Sequence, residues 1–358
     1  MNRKILNEGG ACSKHSISCD TDWITLASVI SAIAVVLLHT NGCFWIFSAT
    51  ESYWLSANII ESVFYFAVPV FFMISASTLL DFNKRYGLGT YFKKRINKTV
   101  IPYVFWSLFG IWTGLSAFLA SDTKLLYILK GLAEGSLVGV YWFFIPLFSI
   151  YLSIPLFAAV PEANRKTLFT YISVASFVLC VAVPFIVDVF EMPVDIEFTI
   201  GVGAGYLFYV PTGYLISRYE IKPWIRKVIY AVGIIGLIVH IVGTYAVSMA
   251  AGEVLKTFKG YCNLPSVVYS VAIFVFFRYH GNQVMRRELI GRAVRFLGKY
   301  TFSIYLLHYL LLTLVQHFLP VNIYSLAYRL LMPIPLIAVS VIGTYVARKI
   351  PVVRRLLP

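Results

Sequence analysis

The chain has 358 residues, of which 59% are hydrophobic and only 13% are charged. A soluble domain usually carries about 25% charged residues, so the composition excludes an ordinary soluble protein and favours a polytopic membrane protein. The net charge of +14 does not indicate a nucleic-acid partner, because basic residues collect in the cytoplasmic loops of membrane proteins. The five cysteines are an odd number without CxxC spacing, which argues against a metal site and a disulfide framework.

The apolar runs predict an all-α integral membrane protein with about ten transmembrane helices. In chain order the predicted spans are roughly 24–46, 56–80, 99–120, 138–160, 167–187, 199–217, 226–249, 261–277, 296–318 and 324–347. They divide the chain into an N-terminal tail (1–22), a transmembrane domain (23–347) and a basic C-terminal tail (348–358). With both termini in the cytoplasm, 24 basic residues fall in cytoplasmic segments and four in outer loops, and this asymmetry predicts that orientation.

Five titratable groups inside these spans stand out, because such groups are costly at membrane depth and are candidates for function. They are His39, Glu61, His240, His308 and Arg329. In the predicted orientation all five lie at mid-depth or toward the outer leaflet, so they are candidates to surround one cavity open to that side. An interfacial position would also account for Glu61 and Arg329, and packing alone would account for His240. His39 and His308 are the better candidates for proton transfer, because imidazole titrates near neutral pH.

Four stretches follow one another in a recognisable order. They are "WITLASVISAIAVVLLHTN" (23–41), "VPVFFMISASTLL" (68–80) with "YFKKRINKTVIPYVFW" (91–106), "YWFFIPLFSIYLSIPLF" (141–157) and "LGKYTFSIYLLHYLLL" (297–312). In order and spacing these stretches resemble the acyltransferase-3 family of integral membrane acyltransferases, over nearly the whole chain. The likeness is strongest to the subgroup that includes the O-acetyltransferase of enterobacterial common antigen.

The resemblance implies an acyltransferase that transfers groups other than aminoacyl groups, in the bacterial cytoplasmic (inner) membrane. Such an enzyme moves an acyl group, usually acetyl, from cytoplasmic acyl-CoA to a hydroxyl of a cell-envelope glycan or lipid-linked sugar, with no bound cofactor. The family's first span carries an arginine, ten further residues and then a histidine, often with an aspartate three residues before the arginine. His39 matches the histidine, but Ser28 stands in place of the arginine and Thr25 in place of the aspartate.

The matching positions imply roles for individual side chains. His39 is expected to be the general base, and Arg95 and Lys98 are expected to contact the phosphates of CoA. The side chains expected to line the path of acyl group and acceptor are Ser75, Tyr141, Trp142, Tyr305 and His308. Simpler roles are also compatible with several of these positions. The two basic residues are suited to fixing the cytoplasmic side of the chain and to contact with anionic lipid. Ser75 is suited to helix packing, and Tyr141 and Trp142 are suited to an interfacial aromatic belt.

Two other functions are compatible with the sequence. Glu61, Arg329 and the outer histidines are also suited to a proton-coupled transporter or exporter of a lipid-linked or amphiphilic substrate, although no internal repeat is visible. The loss of arginine and aspartate from the first span is what a catalytically degenerate family member would show.

Overall fold

The computed structural model describes residues 21–114, 125–192, 203–351 and 353–358, so the predicted N-terminal tail lies almost wholly outside the described residues. The described residues are 79% helical and contain no strand. The α-helices are α1 (Asp22–Thr40), α2 (Tyr53–Phe64), α3 (Ala67–Leu79), α4 (Leu88–Arg95), α5 (Ile101–Trp112), α6 (Leu125–Glu134), α7 (Phe144–Ala159), α8 (Glu162–Phe177), α9 (Val183–Val189), α10 (Tyr209–Arg218), α11 (Pro223–Ala251), α12 (Leu264–Met285), α13 (Glu288–Leu297), α14 (Thr301–Phe318), α15 (Leu326–Leu331) and α16 (Pro333–Ala347).

Seven helical runs among the described residues are long and apolar enough to cross a membrane. They are Asp22–Thr40, Tyr53–Lys84, Tyr141–Ala159, Glu162–Val189, Pro223–Ala251, Thr301–Phe318 and Leu326–Ala347. This confirms an all-helical protein with several apolar spans. The other three predicted spans, 99–120, 199–217 and 261–277, overlap α5, α10 and α12, and the first two extend into residues that the structure does not describe.

Helix α1 lies at the centre of the fold, where it packs against α3, α12 and α14. Twelve of its 19 residues are buried, which matches a sequence that is apolar on all sides rather than along one stripe. By contrast, α11 turns an apolar face outward: Ile234, Ile235, Ile238 and Val242 are each more than half exposed. An exposed face of this kind is expected where a helix meets lipid instead of water.

Small residues bring α11 and α12 close together. A Cβ atom added at Gly233 would lie 2.3 Å from the Cβ of Ala272, and one added at Gly236 would lie 2.8 Å from the carbonyl oxygen of Pro265. Van der Waals packing of this kind holds membrane helices together where lipid weakens the hydrophobic effect.

A partly buried ion network joins the end of α3 to α8 and α10. Asp81 accepts hydrogen bonds from Arg165 at 2.7 Å and from Arg218 at 2.6 Å. The Arg165 side chain is only 3% exposed, and it also donates to the carbonyl oxygens of Ala158 and Val160. The network therefore fixes the loops that end these helices and satisfies a guanidinium that would be costly to bury alone.

Candidate functional site

A cavity of about 720 Å³, here called the histidine cavity, lies between the end of α1, the start of α7 and helix α14. Its lining includes His39, Glu61, Trp142, Lys259, Tyr261 and Tyr309. Its volume falls in the range of protein sites for small molecules, and its wall combines aromatic rings with a few polar groups, which is typical of such sites.

His39 and His308 meet at the wall of this cavity. The centroids of their rings lie 5.2 Å apart, and the ring of Tyr309 packs edge-on against His39 at 5.8 Å. His39 is half-buried and lines the cavity, whereas His308 is completely buried beneath it. The two histidines that the sequence singled out for proton transfer are therefore neighbours, although they are far apart in the chain.

The ring of His308 has one nitrogen fixed and the other free. Its Nδ1 lies 2.7 Å from the carbonyl oxygen of Tyr305 and 3.0 Å from that of Ile304. Carbonyl oxygens only accept hydrogen bonds, so Nδ1 carries the hydrogen and Nε2 carries the lone pair. That Nε2 is buried without a hydrogen-bond partner among the described residues. A buried, unpaired acceptor next to His39 is available to receive a hydrogen bond from it.

A buried ion pair closes another side of the histidine cavity. Lys259, in the loop of residues 252–263 between α11 and α12, lies 2.7 Å from Glu61 of α2, and both side chains are almost completely buried. Its ammonium group also lies 3.6 Å from the centre of the Tyr65 ring. Burial lowers the pKa of Lys259 to about 8, while the carboxylate of Glu61 opposes that fall.

Three aromatic rings form a continuous wall in the cavity. Tyr65 and Tyr261 are stacked with centroids 4.1 Å apart, and Trp142 stacks on Tyr261 at 5.4 Å. These rings come from the end of α2, the 252–263 loop and the 3₁₀ turn Tyr141–Phe143. Only the tertiary fold joins them, and the result is a stack of aromatic rings that lines the same cavity as His39.

A second cavity, of about 320 Å³, is here called the basic cavity and is defined by Ser28, Ser75, Arg95, Lys98 and Tyr151. Arg95 ends α4, and Lys98 belongs to the π-helical segment Ile96–Val100 that joins α4 to α5. Single π-helical turns often occur at functional sites. The Nε atom of Arg95 is buried without a hydrogen-bond partner among the described residues, although its guanidinium lies 5.5 Å from the centre of the Tyr151 ring.

Ser28 faces the basic cavity and His39 faces the histidine cavity. The two residues are eleven positions apart on α1, which corresponds to roughly 16 Å along a helix axis. The family arginine would thus stand beside Arg95 and Lys98. Ser28 leaves that side of the basic cavity uncharged.

Two rings, Phe143 and Tyr305, line both cavities. Their centroids are 5.2 Å apart. Tyr305 donates a hydrogen bond to the carbonyl oxygen of Val140 at 2.5 Å, and Tyr141 donates one to that of Leu306 at 2.7 Å. These reciprocal bonds fasten the 3₁₀ turn before α7 to α14.

The structure places the remaining predicted residues as follows. Tyr141 is completely buried, so it is not part of an interfacial belt, whereas Trp142 lines the histidine cavity. Ser75 lines the basic cavity, but its hydroxyl donates to the carbonyl oxygen of Phe71 within its own helix. His240 does not line the histidine cavity; it packs edge-on against Tyr65, as a packing histidine would.

Arg329 is also buried, at 1% exposure, and does not extend to an interface. It donates to Asn41 at 3.1 Å and to Ser56 at 2.7 Å, and its own carbonyl oxygen accepts a hydrogen bond from Thr40 at 2.9 Å. The end of α1 that carries His39 is held in place by these bonds. A positive charge near the last carbonyls of a helix is favourable.

Sequence reasoning missed several residues of the site, and Lys259, Tyr261 and Phe143 are examples. Lys259 counted only as a loop charge, and Tyr261 and Phe143 were not distinguished from other aromatic residues. The hydrophobic pattern carries no signal for them, because their neighbours are distant in the chain. Among the described residues, no group of three His, Cys, Asp or Glu side chains lies close enough to hold a metal ion.

One of three comparisons with known proteins gave a match, and that match is to a family model. Searches of curated proteins and of solved structures each gave no significant match. A family model described as an acyltransferase domain, that of acyltransferase-3, matches residues 21–348, which is nearly the whole chain. The chain therefore belongs to the acyltransferase-3 family.

Proposed function

We propose that this protein is an O-acetyltransferase of the bacterial cytoplasmic membrane, with ten spans and both termini in the cytoplasm. It takes the acetyl group from acetyl-CoA on the cytoplasmic side. It passes that group to a hydroxyl of a cell-envelope glycan or lipid-linked sugar. The family assignment supports membrane acyl transfer in general. The choice of donor, acyl group and acceptor is our proposal.

One observation carries the proposal: a single helix, α1, lines a basic cavity near one end and a histidine cavity near the other. Membrane acyl transfer needs a place for a phosphate-rich donor on one side and a base near a hydroxyl on the other. In the proposed orientation the basic cavity faces the cytoplasm, where acyl-CoA is made. The histidine cavity then lies toward the outer leaflet.

The donor side depends on Arg95 and Lys98. Both line the basic cavity, and the Nε of Arg95 has no protein partner among the described residues. Guanidinium and ammonium groups are the usual partners of phosphate oxygens. We propose that these two residues hold the CoA phosphates and compensate for the serine at position 28.

On the acceptor side, His39 acts as the general base. It removes the proton from the acceptor hydroxyl while that oxygen attacks the thioester carbonyl carbon. The carbon–sulfur bond then breaks, the CoA sulfur leaves, and the proton on His39 passes to that sulfur, so the products are the O-acyl ester and free CoA. The Nε2 of His308 has no hydrogen-bond partner among the described residues and lies next to His39, so we propose that it accepts a hydrogen bond from His39 during the reaction and turns the basic nitrogen of His39 toward the cavity.

The stacked wall of Tyr65, Tyr261 and Trp142 supports a sugar as the acceptor. Aromatic rings pack well against the C–H faces of sugar rings, and Trp142 at the end of the stack lines the same cavity as His39.

The direct experiment measures transfer of radiolabelled acetyl from acetyl-CoA to the glycan and lipid fractions of membranes that contain the protein. We expect label with the wild type and, for His39→Ala, a loss of about 100-fold or more, the usual contribution of a general base. His240→Ala is the matched control, because His240 is also buried but does not line the histidine cavity. It should keep its activity if it still folds.

Ser28→Arg separates an active enzyme from a degenerate one. If Arg95 and Lys98 already hold the donor, Ser28→Arg changes the rate little. Label that appears only in Ser28→Arg would show that the natural protein has lost catalysis. Label that is absent from every variant, together with a response to a proton gradient that Glu61→Gln abolishes, would favour transport. The pairing of Glu61 with Lys259 opposes transport, because the carboxylate is already engaged in a buried ion pair.

A further inference from the structure

We propose that Phe143 and Tyr305 form a filter between the two cavities, and that this filter selects the acyl group by size. The inference rests on the proposed transfer reaction and deepens it. It identifies the residues that restrict the donor to short acyl chains and states which of the two rings moves.

The filter follows from the placement of the cavities. The donor phosphates lie at the basic cavity and the base lies at the histidine cavity, with Ser28 and His39 separated by roughly 16 Å of helix. The thioester end of the donor must therefore pass from one cavity toward the other. Phe143 and Tyr305 are the residues common to both linings, so the acyl group passes between or beside their rings.

The two rings are held differently. The hydroxyl of Tyr305 is hydrogen-bonded to the backbone of Val140, and this bond fixes the ring against the turn before α7. Phe143 has no polar atom on its side chain, and it is held by stacking on Phe72 at 5.2 Å. Displacement of Phe143 breaks no hydrogen bond, whereas displacement of Tyr305 leaves a buried carbonyl unpaired. Phe143 is therefore the ring that moves.

Size selection follows from close packing. The rings lie at contact distance, with centroids 5.2 Å apart, so each added methylene must push Phe143 farther into the packed side chains around it. An acetyl group needs the smallest displacement of any acyl group with a carbon chain. One methylene in a tight apolar site commonly changes a rate by about 10-fold or more.

The test compares acetyl-, butyryl- and octanoyl-CoA as donors for the wild type and three variants. Phe143→Ala should raise the ratio of octanoyl to acetyl transfer by about 10-fold or more, and Phe143→Trp should reduce transfer of every chain length. Phe144→Ala is the matched control, because Phe144 is the adjacent buried ring, contacts Tyr305 and lines neither cavity. Its ratio should stay at the wild-type value.

A second readout does not depend on catalysis. Cys43 lines the histidine cavity, so a variant that keeps it as the single cysteine reports entry of a small charged thiol reagent. The reagent is added only to the vesicle face onto which the basic cavity opens, with Cys43→Ser as background. Phe143→Ala should label several-fold faster than its parent, and Phe144→Ala should label at the parental rate.

The filter is overturned if Phe143→Ala changes neither the chain-length ratio nor the labelling rate. It is also overturned if Phe143→Ala and Phe144→Ala change them equally, because that result means general loosening. If no form of the protein transfers any acyl group but labelling still depends on Phe143, the transferase proposal fails. The partition between the cavities then stands without an acyl-transfer role.

Discussion

The ion pair of Lys259 and Glu61 makes the sharpest test of the architecture around the histidine cavity. The side chains are 1% and 6% exposed, and the second carboxylate oxygen, Oε2, has no hydrogen-bond partner among the described residues. Removal of one partner leaves a buried charge without compensation, and such a change costs about 3–5 kcal/mol. We therefore expect Lys259→Met and Glu61→Leu each to lower the free energy of unfolding by about that amount.

The double variant has a different expected outcome. Replacing both charges with apolar side chains removes the desolvation cost together with the attraction, so Glu61→Leu combined with Lys259→Met should be close to the wild type in stability. The assay is unfolding in detergent at pH 7, followed by intrinsic fluorescence, for wild type, both single variants and the double variant. Lys256→Met is the control, because Lys256 lies in the same loop but is exposed. If the two single costs simply add in the double variant, the two groups are not coupled and the reasoning is wrong.

The same pair has a pH dependence with a definite sign. The pKa of Lys259 is about 8 in the folded protein and 10.5 in its ordinary state. The folded protein thus loses this proton before the unfolded chain does, and Lys259 contributes more to stability as the pH rises from about 8 toward 10.5. The unfolding midpoint of the wild type relative to Lys259→Met should increase between pH 7.5 and 9.5. A difference that stays constant or shrinks over this range contradicts the assigned direction.

Two further predictions concern other parts of the molecule. His308→Ala should lower the acyl-transfer rate by about 10-fold or more without abolishing it. His308→Gln, which offers an amide oxygen to His39, should recover part of that loss. Equal rates for the two variants in a transfer assay would argue against a positioning role for His308. Asp81→Asn should lower the free energy of unfolding by about 3 kcal/mol, because Arg165 loses its buried carboxylate. The exposed pair of Glu162 and Lys84 provides the comparison for Asp81→Asn. In the same detergent unfolding assay, Glu162→Gln should lower the free energy of unfolding by less than about 1 kcal/mol. Similar losses for the two variants would refute the argument from burial.

Much of the fold was predictable, because the backbone N–H and C=O groups of a membrane span must form hydrogen bonds within the protein. Long apolar runs must form helices, and the sequence shows them directly. The likeness to a known family also identified His39, His308 and the pair Arg95 and Lys98. The structure brings the first two together and places the second two in one cavity. In each case a local pattern singled out the residue, and the role of that residue stays a prediction.

The closure of the histidine cavity was not predictable, because it depends on contacts between distant residues. Lys259 and Glu61 are 198 positions apart, and a lysine in a loop gives no sign in the sequence that it is buried. The same holds for Tyr261, which completes the aromatic wall from the same loop. Phe143 lies in a run of aromatic residues whose pattern does not show which ring lies between two cavities.

The effect of the serine at position 28 depends on charges that come from a segment outside α1. Counted along α1, Ser28 is a missing positive charge, and the natural conclusion is a weakened donor site. In three dimensions the same position faces Arg95 and Lys98, which reach the cavity from a separate segment between α4 and α5. Coulomb attraction depends on the distance between charges and not on which helix supplies them. A phosphate in the basic cavity therefore still meets two cations, and the loss of the arginine from α1 does not by itself imply a loss of donor binding.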